Sequence, residues 1–178
     1  WRFHETPQYE KILRTVRDWA TEPTQNWVRH HFGAELFEMV SAGFDDRTLR
    51  VLEEWIMSAN EQNLENAAAL LREAENTFVW NHQDFVVNIL EKAQKFGDTS
   101  YKRVSSSLHM SVFQGGRSGT PGQPFPEDII QRDRSQEAMS KLPIGSPAHK
   151  FYKMLYDEAI AEIKRHTYGE DEFDDMWS

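Results

Sequence analysis

Apolar residues recur at helical spacing along most of the chain, and between Asp45 and Phe113 the same pattern is written twice. Leu49, Leu52 and Ile56 are followed, after a polar break, by Leu64, Ala67, Ala68 and Leu71. Moved forward by about 37 residues, a period common among helical repeats, the set falls on Val86, Ile89, Ala93, Tyr101, Val104, Ser105 and Leu108. Moved back by the same interval it meets Ile12, Thr15, Trp19, Trp27, His30, His31 and Ala34, which keeps the apolar ends and loses the middle. Each copy predicts helix, polar turn, helix. One such hairpin cannot bury its own apolar faces, so neighbours must stack.

The helix boundaries follow from capping chemistry. Thr6-Pro7 opens the first helix, with proline where its missing N–H costs nothing, and Ile12, Leu13, Val16, Trp19 and Ala20 form its inward stripe up to Thr21. Thr24 caps a second helix through Trp27, Phe32, Leu36 and Val40, ended by Gly43. Asp45 or Asp46 caps the third, striped by Leu49, Leu52, Trp55 and Ile56, and Ser58 to Gln62 makes the turn into an alanine-rich fourth. The fifth follows Asn76-Thr77 and turns Phe85, Val86, Ile89, Leu90 and Ala93 inward. Gly97-Asp98 reads as a C-cap beside an N-cap. The sixth helix carries Tyr101, Val104, Leu108 and Val112, with Ser105-Ser106-Ser107 either admitting a close backbone or lying under a polar group. Residues 114–124 form a Gly/Pro-rich loop, of a length that in a compact domain is functional or disordered. A seventh helix follows, with Ile129, Ile130, Ala138, Met139 and Leu142 expected inward, and stops at Pro143. Ser146-Pro147 starts an eighth through Phe151, Tyr152, Leu155, Ala159, Ile160 and Ile163.

The period, the polar turn and the alanine-rich second helix resemble the HEAT family of α-solenoid repeats over about residues 7–113. The likeness is carried by Asp45-Leu49-Leu52-Ile56, Asn60-Leu64-Ala67-Ala68-Leu71, Val86-Ile89-Ala93 and Asp98-Tyr101-Arg103-Val104-Leu108. Asp98 and Arg103 approximate the Asp–Arg pair of such repeats, and asparagines replace it in the preceding unit. The resemblance implies a curved surface presented to a protein partner, or in some members to nucleic acid. The expected fold is all-α: one helical domain over 1–178, with three repeat-like hairpins in a short HEAT-like α-solenoid over 7–113. The loop follows at 114–124, a C-terminal capping helix pair at 125–167 and an acidic tail at 168–178.

Composition narrows the classes of function. With no cysteine among 178 residues, disulfides, thiolate metal sites and cysteine nucleophiles are excluded, and a cytoplasmic location is the expectation. No apolar run approaches the roughly 20 residues of a membrane span. The start at Trp1 suggests a domain of a larger protein. Net charge is −9, and Glu170, Asp171, Glu172, Asp174 and Asp175 supply five of the acids, leaving about −4 for the body. Phosphate-backbone binding rests on clustered Lys and Arg, so nucleic acid ranks behind a protein partner.

Local chemistry is sparse. His30 and His31 point about 100° apart on a helix and cannot share a metal, and His4, His82, His109, His149 and His166 show no mutual ligand spacing. No metal or cofactor is expected. The Gly115–Thr120 run lacks the lysine of a phosphate-binding loop, and Ser105 to Ser107 beside His109 lack a third group to orient a base. The residues left for partner binding are Arg117 in the loop, Arg132 and Arg134 in the seventh helix, and Phe173 and Trp177 in the acidic tail. The expectation is non-enzymatic protein recognition. The alternatives are a HEAT-like nucleic-acid binder using Lys102, Arg103, Arg117, Arg132 and Arg134, and an enzyme with an acid–base site in a groove.

Overall fold

The computed structural model describes residues 6–21, 46–58, 60–112 and 116–168, and the regular structure among them is helical, with no strand. The helices are α1 (Pro7–Thr21), α2 (Asp46–Ser58), α3 (Glu61–Leu70), a 3-10 turn (Leu71–Glu73), α4 (Phe78–Asn81), α5 (Gln83–Phe96), α6 (Asp98–Val112), α7 (Pro126–Ser140) and α8 (Pro147–Tyr168). The helix expected around Trp27 to Val40 and the acidic tail lie outside the described residues. No helix among the described residues is long and apolar enough to cross a membrane.

The chain divides into two compact units, Trp1–Val79 with Asn88–Gln114, and Trp80–Val87 with Gly115–Ser178. In the first, α1 packs on α2 and α3, and α3 with its 3-10 turn packs on α6. The buried stripe of α1 is Tyr9, Leu13 and Val16, while Ile12 is only half-buried. Tyr9 enters because its hydroxyl lies 3.4 Å from Thr48 Oγ1 of α2, which gives the ring a buried position with its polar end satisfied. Leu64, Ala67, Ala68 and Leu71 are buried, as are Val104, Leu108 and Val112. The helix ahead of Ala74 tightens at its end, where Ala74 N donates to Leu71 O at 3.1 Å.

Of the three serines in the middle of α6, Ser105 and Ser107 are buried and Ser106 is exposed. Ser105 and Ser107 are buried on a helix that packs against the alanine-bearing α3, where small side chains let the backbones approach. Ser107 also meets a polar group, Arg72 Nε donating to its Oγ at 3.4 Å, and earlier on the same helix Ser100 Oγ donates to Glu61 Oε1 at 2.5 Å. At the joint between α5 and α6, Gly97 (φ +131°) performs both duties. Its N–H closes α5 on Gln94 O at 3.1 Å and its carbonyl receives Tyr101 N at 3.1 Å, so Asp98 is the first residue of α6 rather than its N-cap.

In the second unit α7 and α8 form the packed pair. Ser146 caps α8 as expected, its Oγ accepting from His149 N at 3.2 Å. Ala148, Phe151, Tyr152, Leu155 and Ala159 supply the apolar face. Burial raises the Tyr152 phenol pKa far above the ordinary tyrosine value, and the charge of Asp84 adds to the rise. A phenol whose folded pKa lies above its unfolded one stabilises the fold fully below about pH 10, and that contribution is lost as pH climbs further. Tyr152→Phe should therefore move the alkaline unfolding midpoint, followed by circular dichroism, to higher pH. An unmoved midpoint would assign the transition to other groups.

Candidate functional site

The buried face of α7 is polar. Ile129 and Ile130, expected inward, are half-buried and 45% exposed, and the fully buried positions are Asp128, Gln131, Ser135 and Ala138. These four recur at helical spacing and make one stripe, one step out of phase with the apolar residues. A helix buries polar side chains at tolerable cost only when each finds a partner. Ser135 Oγ receives the Trp80 indole N–H at 3.1 Å. Gln131 Nε2 donates to Leu155 O at 2.8 Å and to Glu158 Oε1 at 3.1 Å, while its Oε1 accepts from Arg117 Nη2. Asp128 Oδ1 receives Arg117 Nη1.

Arg117 reaches this face from the Gly/Pro loop. Thr120-Pro121-Gly122-Gln123 closes a turn, with Gln123 N on Thr120 O at 3.1 Å and Gly122 at φ +81°, the conformation a glycine supplies after proline. Gly119 lies so close to the Phe125 ring that an added Cβ would fall 2.3 Å from it. The loop is thereby held over the start of α7, and the Arg117 side chain, 15% exposed, also pairs with Glu158 at 3.6 Å.

Asp128 stands in the first turn of α7, where the helix dipole favours a negative group. Even so, burial raises its pKa above the ordinary aspartate value, and nearby Glu162 pushes the same way against the lowering effects of Arg117 and His166. Its second oxygen, Oδ2, is buried without a hydrogen-bond partner, as is Glu127 Oε2. On the last turns of α8, Glu162 Oε2 lies 3.3 Å from His166 Nε2, and Glu162 also pairs with Arg165. Phe125 stacks on the His166 imidazole at 3.9 Å between centroids and 20° between planes, which fixes the ring. Ligand atoms of Asp128, Glu162 and His166 all lie within 4.8 Å of one another.

The residues singled out from sequence are placed differently from one another. Arg117 is turned inward, into the cluster just described. Arg132 Nε pairs with neighbouring Asp133 at 2.8 Å, and Arg134 Nη1 donates to Asn81 Oδ1 at 3.1 Å. Phe173, Trp177 and the His30-His31 pair lie outside the described residues. Asp128, Glu162 and His166 were not singled out. Glu162 and His166 did carry a local signal, since i and i+4 share a helix face, but nothing near Asp128 in the sequence connects it to them. In comparisons with known proteins, no family model, no curated protein and no solved structure matches this chain.

Proposed function

We propose that this chain is a non-enzymatic protein-recognition or scaffold domain, with HEAT-like hairpins over residues 7–113 as its framework. The observation that carries the reading is how charge and apolar surface are distributed. The arginines that would serve a phosphate backbone are engaged within the chain: Arg103 with Glu65 at 2.8 Å, Arg117 with Asp128, Arg132 with Asp133, and Arg134 with Asn81. Large apolar side chains stand in solvent instead, with Ile144 93% and Met57 75% exposed. Protein interfaces use apolar and aromatic anchors within a polar rim, whereas nucleic-acid faces need unneutralised Lys and Arg.

Ile144 sits between Pro143 and Gly145 (φ +81°) in the short connection from α7 to α8. A side chain held on such a turn loses little conformational freedom when it docks.

The test is co-purification from the source cells with the wild-type chain and an Ile144→Asp variant as baits, beside titration of labelled duplex and single-stranded nucleic acid over a salt series. Partners retained by the wild type and depleted by the variant support the proposal. Salt-dependent nucleic-acid binding, or a partner set indifferent to the substitution, overturns it in this form.

A further inference from the structure

Three features of the second unit converge on one position between the start of α7 and the end of α8. Asp128 is fully buried and its Oδ2 has no hydrogen-bond partner. Glu162 and His166 stand one helical turn apart on α8, with Oε2 and Nε2 3.3 Å from each other. The three residues bring their ligand atoms within 4.8 Å. We propose that Asp128, Glu162 and His166 form a binding site for a divalent first-row transition-metal ion, with Zn2+ as its defining probe.

The donor set selects the ion. Two carboxylate oxygens and one imidazole nitrogen suit zinc, manganese or ferrous iron, whereas calcium requires six to eight oxygens and magnesium holds mainly oxygen and water. A tetrahedral centre with ligands at ~2.1 Å has edges of ~3.4 Å. The 3.3 Å separation between Glu162 Oε2 and His166 Nε2 already has that length. Only the side chain of Asp128 has to close from within 4.8 Å, a distance that small torsional changes cover. A fourth ligand would come from water.

The surroundings fit a cation. Arg117 pairs with Asp128 and Glu158, and Arg165 with Glu162, so three carboxylates share two guanidiniums in these pairs. Arg117 holds Oδ1 of Asp128, which leaves the orphaned Oδ2 as the coordinating atom. Phe125 packs flat on the imidazole and restricts the orientation of its ring. Gly119, the residue on which this ring rests, has no room for a side chain. A bound ion would tie the beginning of α7 to the end of α8, so binding adds to stability by mass action.

The experiment is calorimetric titration of the metal-free chain with Zn2+, together with its thermal midpoint with and without the ion. One ion per chain and a higher midpoint are expected. His166→Gln and, separately, Glu162→Gln should weaken binding at least ~100-fold, beyond the loss typical of residues that only support a ligand. His149→Gln, at a histidine outside the site, should bind as the wild type does. His166 and Glu162 are partly exposed, with 28% and 26% of the side chain accessible, so their variants are expected to keep the wild-type circular dichroism. If Asp128→Asn fails to fold, these two variants decide the matter. No stoichiometric binding by the wild type, or wild-type affinity in His166→Gln and Glu162→Gln, overturns the proposal.

Discussion

Arg117→Ala should lower the stability of the α7–α8 unit by ~3–5 kcal/mol at neutral pH, the usual cost of leaving one member of a buried ion pair alone. Asp128 is fully buried and Arg117 is its bonded counter-charge, so the deletion strands a carboxylate in the interior. Gln131 Oε1 loses a donor at the same time. The loss should shrink on acidification. The Asp128 carboxyl is already raised above its ordinary value by burial, and removing Arg117 takes away a lowering influence. A carboxyl with a raised folded pKa stabilises the fold fully below its unfolded value near pH 4, and this is lost as pH rises through the folded pKa. The variant should therefore approach the wild type as pH falls toward 4 and diverge from it toward 7. Combining Arg117→Met with Asp128→Leu removes both charges and should recover most of the stability, since a buried ion pair gains little over an apolar replacement. Urea unfolding at several pH values measures all three. A single variant within ~0.5 kcal/mol of wild type at neutral pH, the ordinary range for a surface substitution, would mean that Asp128 is solvated.

The second large effect is expected at Phe151. Its ring is fully buried on α8, in edge-to-face contact with Tyr152 at 5.4 Å between centroids and 68° between planes. Phe151→Ala removes that contact and leaves a cavity, which together cost ~3–5 kcal/mol in well-packed interiors. Ile130→Ala supplies the contrast. From the apolar pattern alone the two positions are equivalent, but Ile130 is 45% exposed, and its truncation should stay within ~0.5 kcal/mol of wild type. Thermal or urea unfolding of the two variants checks which face of α7 is inside. Comparable losses would restore the apolar face as the buried one.

The ion pairs between α1 and α2 predict no comparable sensitivity. Arg14 and Arg50 of α1 and α2 pair with Glu54 and Glu10 across those helices, but all four side chains are 40–61% exposed. Exposed pairs of this kind contribute from nothing to about 1 kcal/mol. The same charge chemistry carries more energy at Asp128, whose carboxylate is fully buried.

Local sequence set where most of the described helices form and several of their ends, although the stretch after Asn76-Thr77, expected as one helix, is divided into Phe78–Asn81 and Gln83–Phe96. These are local matters. Ser146-Pro147 fixes the start of α8, Thr6-Pro7 that of α1, and Gly97 the break between α5 and α6, each through backbone groups within four residues. The inward faces of α3 with its 3-10 turn and of α5 were legible because Leu64, Ala67, Ala68, Leu71, Phe85, Ile89 and Ala93 are apolar and need no partner to be buried. The inward face of α7 was not. Asp128 Oδ1, Gln131 and Ser135 are partnered by groups 11, 24 and 55 residues away in the chain, and apolar periodicity cannot register such partners. The candidate site divides in the same way. The spacing of Glu162 and His166 on one helical face is written in the sequence, whereas the arrival of Asp128, the inward turn of Arg117 and the packing of Phe125 on His166 follow from pairing α7 with α8. Helix formation is decided by neighbours along the chain; which polar groups may leave water is decided by neighbours in space.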